Sequence, residues 1–535
     1  MFKVYNMKKI LLLLIVHCAL CIVNSDISIV HCQTTLPRNV ADEFGKLLVY
    51  HNHRICPLQT LARDYTIKLT GKTSYENYTA EQVLLGWFFY YDEWRTEPMI
   101  KIKGKEVQNR LNINTKHASF NDFTSPEGYK LTGSQGKNYS AADEKYNLIM
   151  MHLTGSLMRI YPHKSSPKLG EVPKAEGYEN SQLSTLNSQL QWFALNDQLP
   201  TEMPEAEQLF IHKSMNLVAE YIAHQQYDQA IDLLRKIRLY QNHQLGSLAP
   251  SNAKLTAERI YNHLNYNRLL AILLMTLGLA SYIITIIKPN KSLLITNYSL
   301  LIISALYLTI SITLRGYIAG HFPLSNGFET MQFLALIASL IPLIHKCLQT
   351  INPDGDSRPL TVDCRQKNSS FLIPHSSLIC GVALMVATMS ELNPRITLLM
   401  PVLQSPLLSI HVMVIMISYA LFALLALNSI VNLIRHETQD TRHEMLYWGL
   451  FLLTAGIFIG AIWANMSWGR YWGWDPKEVW ALITMLIYSL PLHRASLPIF
   501  RNPRFTNWYF ILAFLSVIIT YFGVNFILGG MHSYA

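Results

Sequence analysis

Five of the chain's ten tryptophans, Trp463, Trp468, Trp472, Trp474 and Trp480, fall within eighteen residues around Trp468-Gly-Arg-Tyr-Trp-Gly-Trp-Asp-Pro-Lys-Glu478. An interfacial aromatic belt would spread its aromatics over all membrane segments. Here they crowd one connector, with Gly469 and Gly473 between them, so a flat apolar shelf is the expectation and a planar macrocycle its natural guest. Two histidines are expected at the same membrane face: His411, after Ser405-Pro-Leu-Leu-Ser-Ile, and His532, in Gly529-Gly-Met-His-Ser-Tyr534. Two neutral imidazoles on opposite faces of an iron porphyrin form an ordinary axial pair. Haem, with His411 and His532 as its metal ligands, is therefore the guest that this chemistry points to. Arg470, Lys477 and Arg315 are cations that could meet its carboxylates, although outer-face cations also face lipid phosphate.

The acidic residues of the stretch have a structural explanation beside the functional one. Asp475 can be an N-cap, Pro476 sits at the first helical position and Glu478 at the third, which makes a capping box. Asn326 and Glu329 repeat that arrangement after His321-Phe-Pro-Leu-Ser. His493, beside Arg494 at the inner end of a membrane segment, fits either an interfacial histidine or a second haem position. His17, inside an N-terminal apolar run, poses the same question. His345, His375, His436 and His443 flank inner connectors and read as interfacial.

These residues need a scaffold, and composition says which kind. Of 535 residues, 50% are hydrophobic and only 15% charged, too apolar for one soluble enzyme and too mixed for a purely membranous chain. Met7-Lys8-Lys9 followed by Ile10 to Val23 reads as a signal peptide or N-terminal anchor over residues 1–24. Residues 25–265 are polar and form an exported domain, mixed but largely helical: strand-like at Tyr65–Leu69 and helical over Glu205–Tyr240 and Asn252–Leu269. From 266 to 535, eight apolar segments recur near 267–287, 292–314, 327–346, 371–390, 408–433, 445–465, 477–494 and 505–527. The fold class is an all-α polytopic membrane protein preceded by that exported domain. Every connector expected inside carries Lys or Arg, so the net charge of +9 reports membrane topology and not a nucleic-acid partner. The same topology gathers Arg315–Asn326, Glu391–Ile410, Trp463–Glu478 and Leu528–Ala535 on the outer face. The seven cysteines show no metal-site spacing; Cys18-x-x-Cys21 lies in an apolar run, where small apolar packing is the simpler reading.

The stretch Trp468–Glu478, reading Trp-Gly-x-x-Trp-x-Trp-Asp-x-x-Glu, resembles the WWD signature of haem-handling proteins. Residues 267–535 as a whole resemble the CcsA (ResC) family of system II cytochrome c biogenesis, and Gly320-His-x-Pro-x-Ser-Asn-x-x-Glu329 also looks like that family. The resemblance implies that His411 and His532 are the outer haem ligands and His493 the family's membrane-embedded histidine. It groups Trp468, Gly469, Arg470, Trp472, Gly473, Trp474, Asp475 and His321 with the haem site. It implies haem b as substrate or cofactor, export of haem from the cytoplasm, and its thioether attachment to the CxxCH motif of apocytochrome c. It further implies a bacterial inner membrane with the exported domain in the periplasm, and a ResB/CcsB-type subunit as a partner. Residues 25–265 depart from that subunit and look like the extension of Bacteroidota forms. The competing expectations are a haem transporter or delivery protein without ligation, and a non-catalytic assembly scaffold.

Overall fold

Leu58, Leu61, Ala62, Tyr65 and Leu69 are all buried, at the spacing of one helix face. The segment Leu58–Thr70 is accordingly a helix, ended by Gly71 in the left-handed conformation, and not the strand expected at Tyr65–Leu69. The short window hid the period: a β-branched residue among apolar neighbours reads as strand until the full turn-by-turn pattern is included.

The computed structural model describes residues 35–528, apart from 127, 165–189, 265, 288–289, 352–361, 390–391, 393, 398, 400 and 436–441. The signal or anchor segment with His17, the tail with His532, and His436 lie outside the described residues. The chain divides into two compact units at Leu255 and Thr256.

The first unit is helical with small antiparallel hairpins, of which Leu48–His51 with Arg54–Pro57 and Tyr161–Lys164 with Leu190–Phe193 are the longest. Its core is aromatic, with Phe44, Trp87, Phe123 and Tyr161 all fully buried. The expected helix over Glu205–Tyr240 is a helical hairpin, Glu205–Ala223 and Tyr227–Leu245, turned at Gln225 with φ +56°. Gln241 is fully buried and its amide replaces a missing strand neighbour. It accepts from the Leu48 N–H at 2.8 Å and donates to the Leu48 and Ile160 carbonyls at 2.8 and 2.6 Å.

The second unit holds the eight expected apolar segments, each of them helical: α1 (Asn267–Ile287), α2 (Lys291–Ala319), α3 (Gly327–Ile351), α4 (Val362–Ala387), α5 (Pro406–Arg435), α6 (Arg442–Trp468), α7 (Pro476–Ser489) and α8 (Pro503–Ile518). Six are long and apolar enough to cross a membrane, and Phe371–Ala387 of α4 is a shorter apolar stretch. α7 has 14 α-helical residues, extended by a 3-10 turn to His493. The protein is a multi-pass membrane protein, and its helix surfaces agree. On α6, Leu446 and Leu453 are buried whereas Trp448, Phe451 and Phe458 are more than 60% exposed, as lipid-facing residues are.

Two apolar cores run through this unit. One joins α1 to α4, where the helices approach so closely that a Cβ on Gly381 would stand 2.8 Å from the Met275 backbone nitrogen. The other lies among α3, α5, α6, α7 and α8, with the Phe422 and Tyr488 rings stacked at 3.7 Å. α8 runs on into a π-helical stretch, Ile519–Leu528, whose wider turns bring Thr520, Tyr521, Asn525 and Phe526 to one cavity.

Candidate functional site at one end of the helical bundle

Arg315 is fully buried and its partners explain the frame around the site. Its Nε donates to Glu329 Oε1 at 2.7 Å, one terminal nitrogen donates to the Tyr261 hydroxyl and the Pro394 carbonyl, and the other to the Arg395 carbonyl. Asn326 caps α3 as expected, accepting from the Glu329 N–H at 3.0 Å. The return bond of a full capping box is redirected: the Glu329 carboxylate goes to Arg315 and to the Ser325 N–H and hydroxyl. Arg315 is thus committed to pinning three segments together, and the expectation that it meets haem carboxylates does not hold.

Beside this frame lies a cavity of about 210 Å³, walled by Leu324–Gly327, Val412, Ile415, Met416, Tyr419, Ile457, Trp463, Tyr471, Trp472, Tyr521 and Phe526. Three of the four segments expected together on one face reach this cavity, through Leu324–Asn326, through Leu392, Leu403 and Leu408, and through Trp463, Tyr471, Trp472, Lys477 and Glu478; of the fourth, residues 529–535 lie outside the described residues, and the π-helical stretch after α8 adds Tyr521 and Phe526. The volume is below the roughly 300–1,000 Å³ of sites that enclose a small molecule. The rim extends it outward, with Tyr471 61% and Phe526 48% exposed. A cavity of this size has room for one side of a large flat molecule and no more.

His411 lines this cavity from the first turns of α5. Its Nδ1 is 2.7 Å from the Gly456 carbonyl, so Nδ1–H is the donor and Nε2 carries the lone pair that a metal would accept. Gly460, one turn further along α6, provides the room: a Cβ there would stand 2.6 Å from the imidazole Cε1. Nothing in the sequence reading singled out this pair of glycines; their spacing of four residues, facing a histidine, was the available signal. Lys477 also lines the cavity and its Nζ donates to Asn525 at 3.0 Å. Tyr521 shares a 2.5 Å hydrogen bond with Thr330, tying α8 to α3 across the floor.

The tryptophan connector is built by local rules. Trp468 ends α6, and Gly469, at φ +70°, caps it by donating to the Asn465 carbonyl at 2.9 Å. Asp475 and Glu478 form a complete capping box for α7: Asp475 accepts from the Lys477 N–H at 3.0 Å, and Glu478 accepts from the Asp475 N–H at 3.3 Å and the Gly473 N–H at 2.7 Å. Arg470 folds over Gly473, where a Cβ would stand 3.1 Å from its guanidinium carbon. Trp474 sits at φ +56°, a strained conformation for a bulky residue, with its ring 73% exposed. Trp472 and Trp474 meet edge to face at 85°, so the connector is an angular aromatic wall and not the flat shelf expected. Edge-to-face contact is the arrangement that ring quadrupoles favour.

Of the sequence candidates, His411, Trp463, Trp472, Lys477 and Glu478 line the cavity directly. Trp468, Gly469, Arg470, Gly473, Trp474 and Asp475 shape the connector around it. His321 is next to the site in sequence, with its ring nitrogen 3.1 Å from the Phe322 carbonyl, but is not a cavity residue. His493 is exposed beyond the far end of α7, ~25 Å from Pro476 at 1.5 Å rise per residue. His375, expected at an interface, is instead buried between the Tyr282 and Phe371 rings.

Comparison with known proteins gives this geometry a family. Residues 263–532 match the family described as "Cytochrome C assembly protein". The chain is similar to protein NrfI of Wolinella succinogenes, 32% identical over 536 aligned positions that cover 92% of this chain and 54% of NrfI. It is also similar to the cytochrome c biogenesis protein CcsA of Guillardia theta, 29% identical over 50% of this chain and 96% of that protein. The CcsA of Chlamydomonas reinhardtii is 33% identical over 43% of this chain and 66% of its own length. The chain thus spans about half the length of NrfI, and nearly its whole length, both units included, has a counterpart there.

Proposed function

The chain belongs to the cytochrome c assembly protein family, and from that premise we propose that it holds haem at the His411 cavity and presents it for covalent attachment to apocytochrome c. The observation that carries the reading is His411 itself: a cavity imidazole whose Nδ1 is fixed by Gly456, so that Nε2 is the coordinating atom. The donor set suits a metalloporphyrin, with one oriented imidazole, a wall of apolar and aromatic side chains, and one cation, Lys477, for a carboxylate.

Haem is substrate here. Haem b carries two vinyl groups, and each cysteine thiol of the CxxCH motif adds across one of them. A C–S bond forms at the inner vinyl carbon and the thiol proton ends on the outer one, so nothing is oxidised or released. No protein nucleophile is needed. The chain supplies binding, orientation and shielding, and its exposed rim leaves the reacting edge open to the polypeptide. His532 is the natural second axial ligand. The cavity faces the periplasm of a bacterial inner membrane, the soluble unit lies on that side, and haem enters from the cytoplasm. A ResB/CcsB-type subunit assists or is replaced by the soluble unit.

The test is the visible spectrum of the full chain purified in detergent, beside His411→Ala, followed by co-expression with a CxxCH apocytochrome. A bis-histidine haem spectrum weakened by the substitution, together with covalent haem on the substrate, supports the reading. Haem bound but never transferred would turn it into a delivery protein, and a spectrum indifferent to His411→Ala would remove haem from this cavity.

A further inference from the structure

We propose that the first unit carries a docking cleft for an extended, acid-bearing segment of polypeptide, and that the segment belongs to the apocytochrome chain that receives haem. The identity of the guest rests on the cytochrome-assembly reading above, but none of the residues of the His411 cavity takes part. The cleft has a volume of about 870 Å³, inside the roughly 300–1,000 Å³ of built binding sites. One wall is the helix Glu205–Ala223, from His212 to Ala223, and another is the end of the helix Ala80–Phe89 with Tyr90 beyond it. The stretch from His212 to Ala223 measures ~16 Å at 1.5 Å per residue, the span of about five residues of extended chain at ~3.3 Å each.

The lining says what kind of guest fits. Phe88, Phe89, Tyr90 and Tyr227 present ring surface, and the phenylalanines are fixed before any guest arrives. Phe88 and Phe89 meet edge to face at 4.8 Å, and Phe89 packs on the buried Phe44 at 5.7 Å. Rigid aromatic rings supply contact area at little cost in conformational entropy. Amide side chains stand among them. Asn196 Nδ2 donates to the Thr154 carbonyl at 2.9 Å and Asn216 Nδ2 to the His212 carbonyl at 3.0 Å, so the nitrogen of each amide is tied to the fold and its Oδ1 is left to accept from a guest. An acyl chain has no use for such acceptors, whereas a peptide backbone brings an N–H for each.

Charge narrows the guest further. No acidic side chain lines the cleft, and Lys213, which does, makes no ion pair among the described residues. Asp197, beside the lining Asn196, is taken by the Ala194 N–H at 2.8 Å, and Glu220 and Asp228 are exposed off the lining. A cation without a counter-charge on an aromatic wall favours a segment that carries Asp or Glu beside an apolar residue. An unfolded chain presents extended segments along its whole length. A second copy of this chain does not: its strands among the described residues are two to four residues long and already paired in hairpins.

The experiment follows the fluorescence anisotropy of a labelled apocytochrome, its CxxCH thiols alkylated so that no thioether can form, against the full chain in detergent. Wild type is compared with Lys213→Glu, Ala219→Trp and His411→Ala; Lys213 is exposed and Ala219 half-buried, so the first two changes spare the core. We expect Lys213→Glu and Ala219→Trp each to weaken binding about tenfold or more, and His411→Ala to leave it unchanged. In a scan of overlapping labelled peptides from the same apocytochrome, the binders should carry Asp or Glu, and exchanging that acid for Lys should restore binding to the Lys213→Glu variant while weakening it to wild type. Equal affinity of wild type and Lys213→Glu, binders without an acid, or a loss confined to His411→Ala would overturn the cleft. A dimer of the full chain that Lys213→Glu splits would also overturn it, by giving the cleft to a second copy. The haem spectrum of Lys213→Glu should match wild type, and a spectrum indifferent to His411→Ala would sink the haem cavity without touching the docking result, so the two failures are distinguishable.

Discussion

Replacing Gly460 with alanine adds a single methyl group against the ring that the proposed function depends on. Built on the backbone, that methyl stands 2.6 Å from His411 Cε1, 2.7 Å from Nδ1 and 3.3 Å from Nε2. Ordinary carbon contacts lie at about 3.5–4.0 Å, so the imidazole must retreat by ~1 Å. Gly456 and Gly460 are one turn apart on the same face of α6, so a ring pushed off that face leaves both. A retreat of that size carries the 2.7 Å bond to the Gly456 carbonyl past the range in which it is a hydrogen bond. Losing the partner that orients a metal-ligating histidine typically lowers affinity about 10- to 100-fold. The fold should survive: alanine gains up to ~1 kcal/mol of helix propensity over glycine, against ~1–3 kcal/mol for overpacking. Gly456→Ala is the matched control, because its methyl meets the Ile415 Cδ1 at 2.5 Å, the far end of a side chain that can rotate away. The assay is haem titration by absorbance in detergent, with thermal unfolding run on each variant. Wild-type affinity and spectrum in Gly460→Ala, or equal losses in both alanine variants, would refute the reasoning.

Glu329→Ala leaves the fully buried Arg315 guanidinium without its carboxylate, and should lower stability by ~3–5 kcal/mol; a loss under ~1 kcal/mol in detergent unfolding would show that the pair does not hold the frame. Asp475→Ala should cost about 1 kcal/mol as a lost N-cap, whereas Asp475→Ser keeps the cap. If Asp475 is a cap and nothing more, haem binding survives the serine and transfer proceeds; its failure there would mean that the carboxylate itself touches haem. In the first unit, His152 is buried beside Tyr65 and Phe88 and donates to the Leu84 carbonyl, and burial pushes its pKa down to about 4. The unfolded chain therefore binds the proton first as pH falls. The stability of this unit should be at its full value above pH ~6.5 and fall by ~3 kcal/mol as pH drops toward 4. His152→Phe should flatten that slope in a pH series of unfolding curves, and an unchanged slope would assign the acid sensitivity to other groups.

What could be seen in the sequence, and what could not, follows from the range over which each feature is decided. All eight apolar segments are helical, and the six long enough to cross a membrane are so because lipid leaves the backbone no other partner, so composition along the chain suffices for them. The capping box of Asp475 and Glu478 is as local, and it formed as spaced. Three of the four segments that a count of crossings assigns to one face reach one cavity. One error comes from too short a window, and those at Arg315 and His375 come from a second element. Tyr65–Leu69 is helical because Leu58, Leu61 and Ala62 share its buried face. Arg315 looked available because its partners, Tyr261, Glu329, Pro394 and Arg395, are dispersed in sequence and meet only in the fold. His375 looked interfacial from its distance to a connector, but the faces of α1 and α4 that meet bury it. Depth along a helix is written in hydropathy, whereas rotation about the helix axis is set by the neighbour. His411 and His493 each lie near the end of an apolar segment, yet His411 faces a pair of glycines on α6 whereas His493 is exposed on a terminal turn. A histidine in a membrane segment therefore becomes a ligand candidate through what faces it, and His411, set against Gly456 and Gly460, meets that condition.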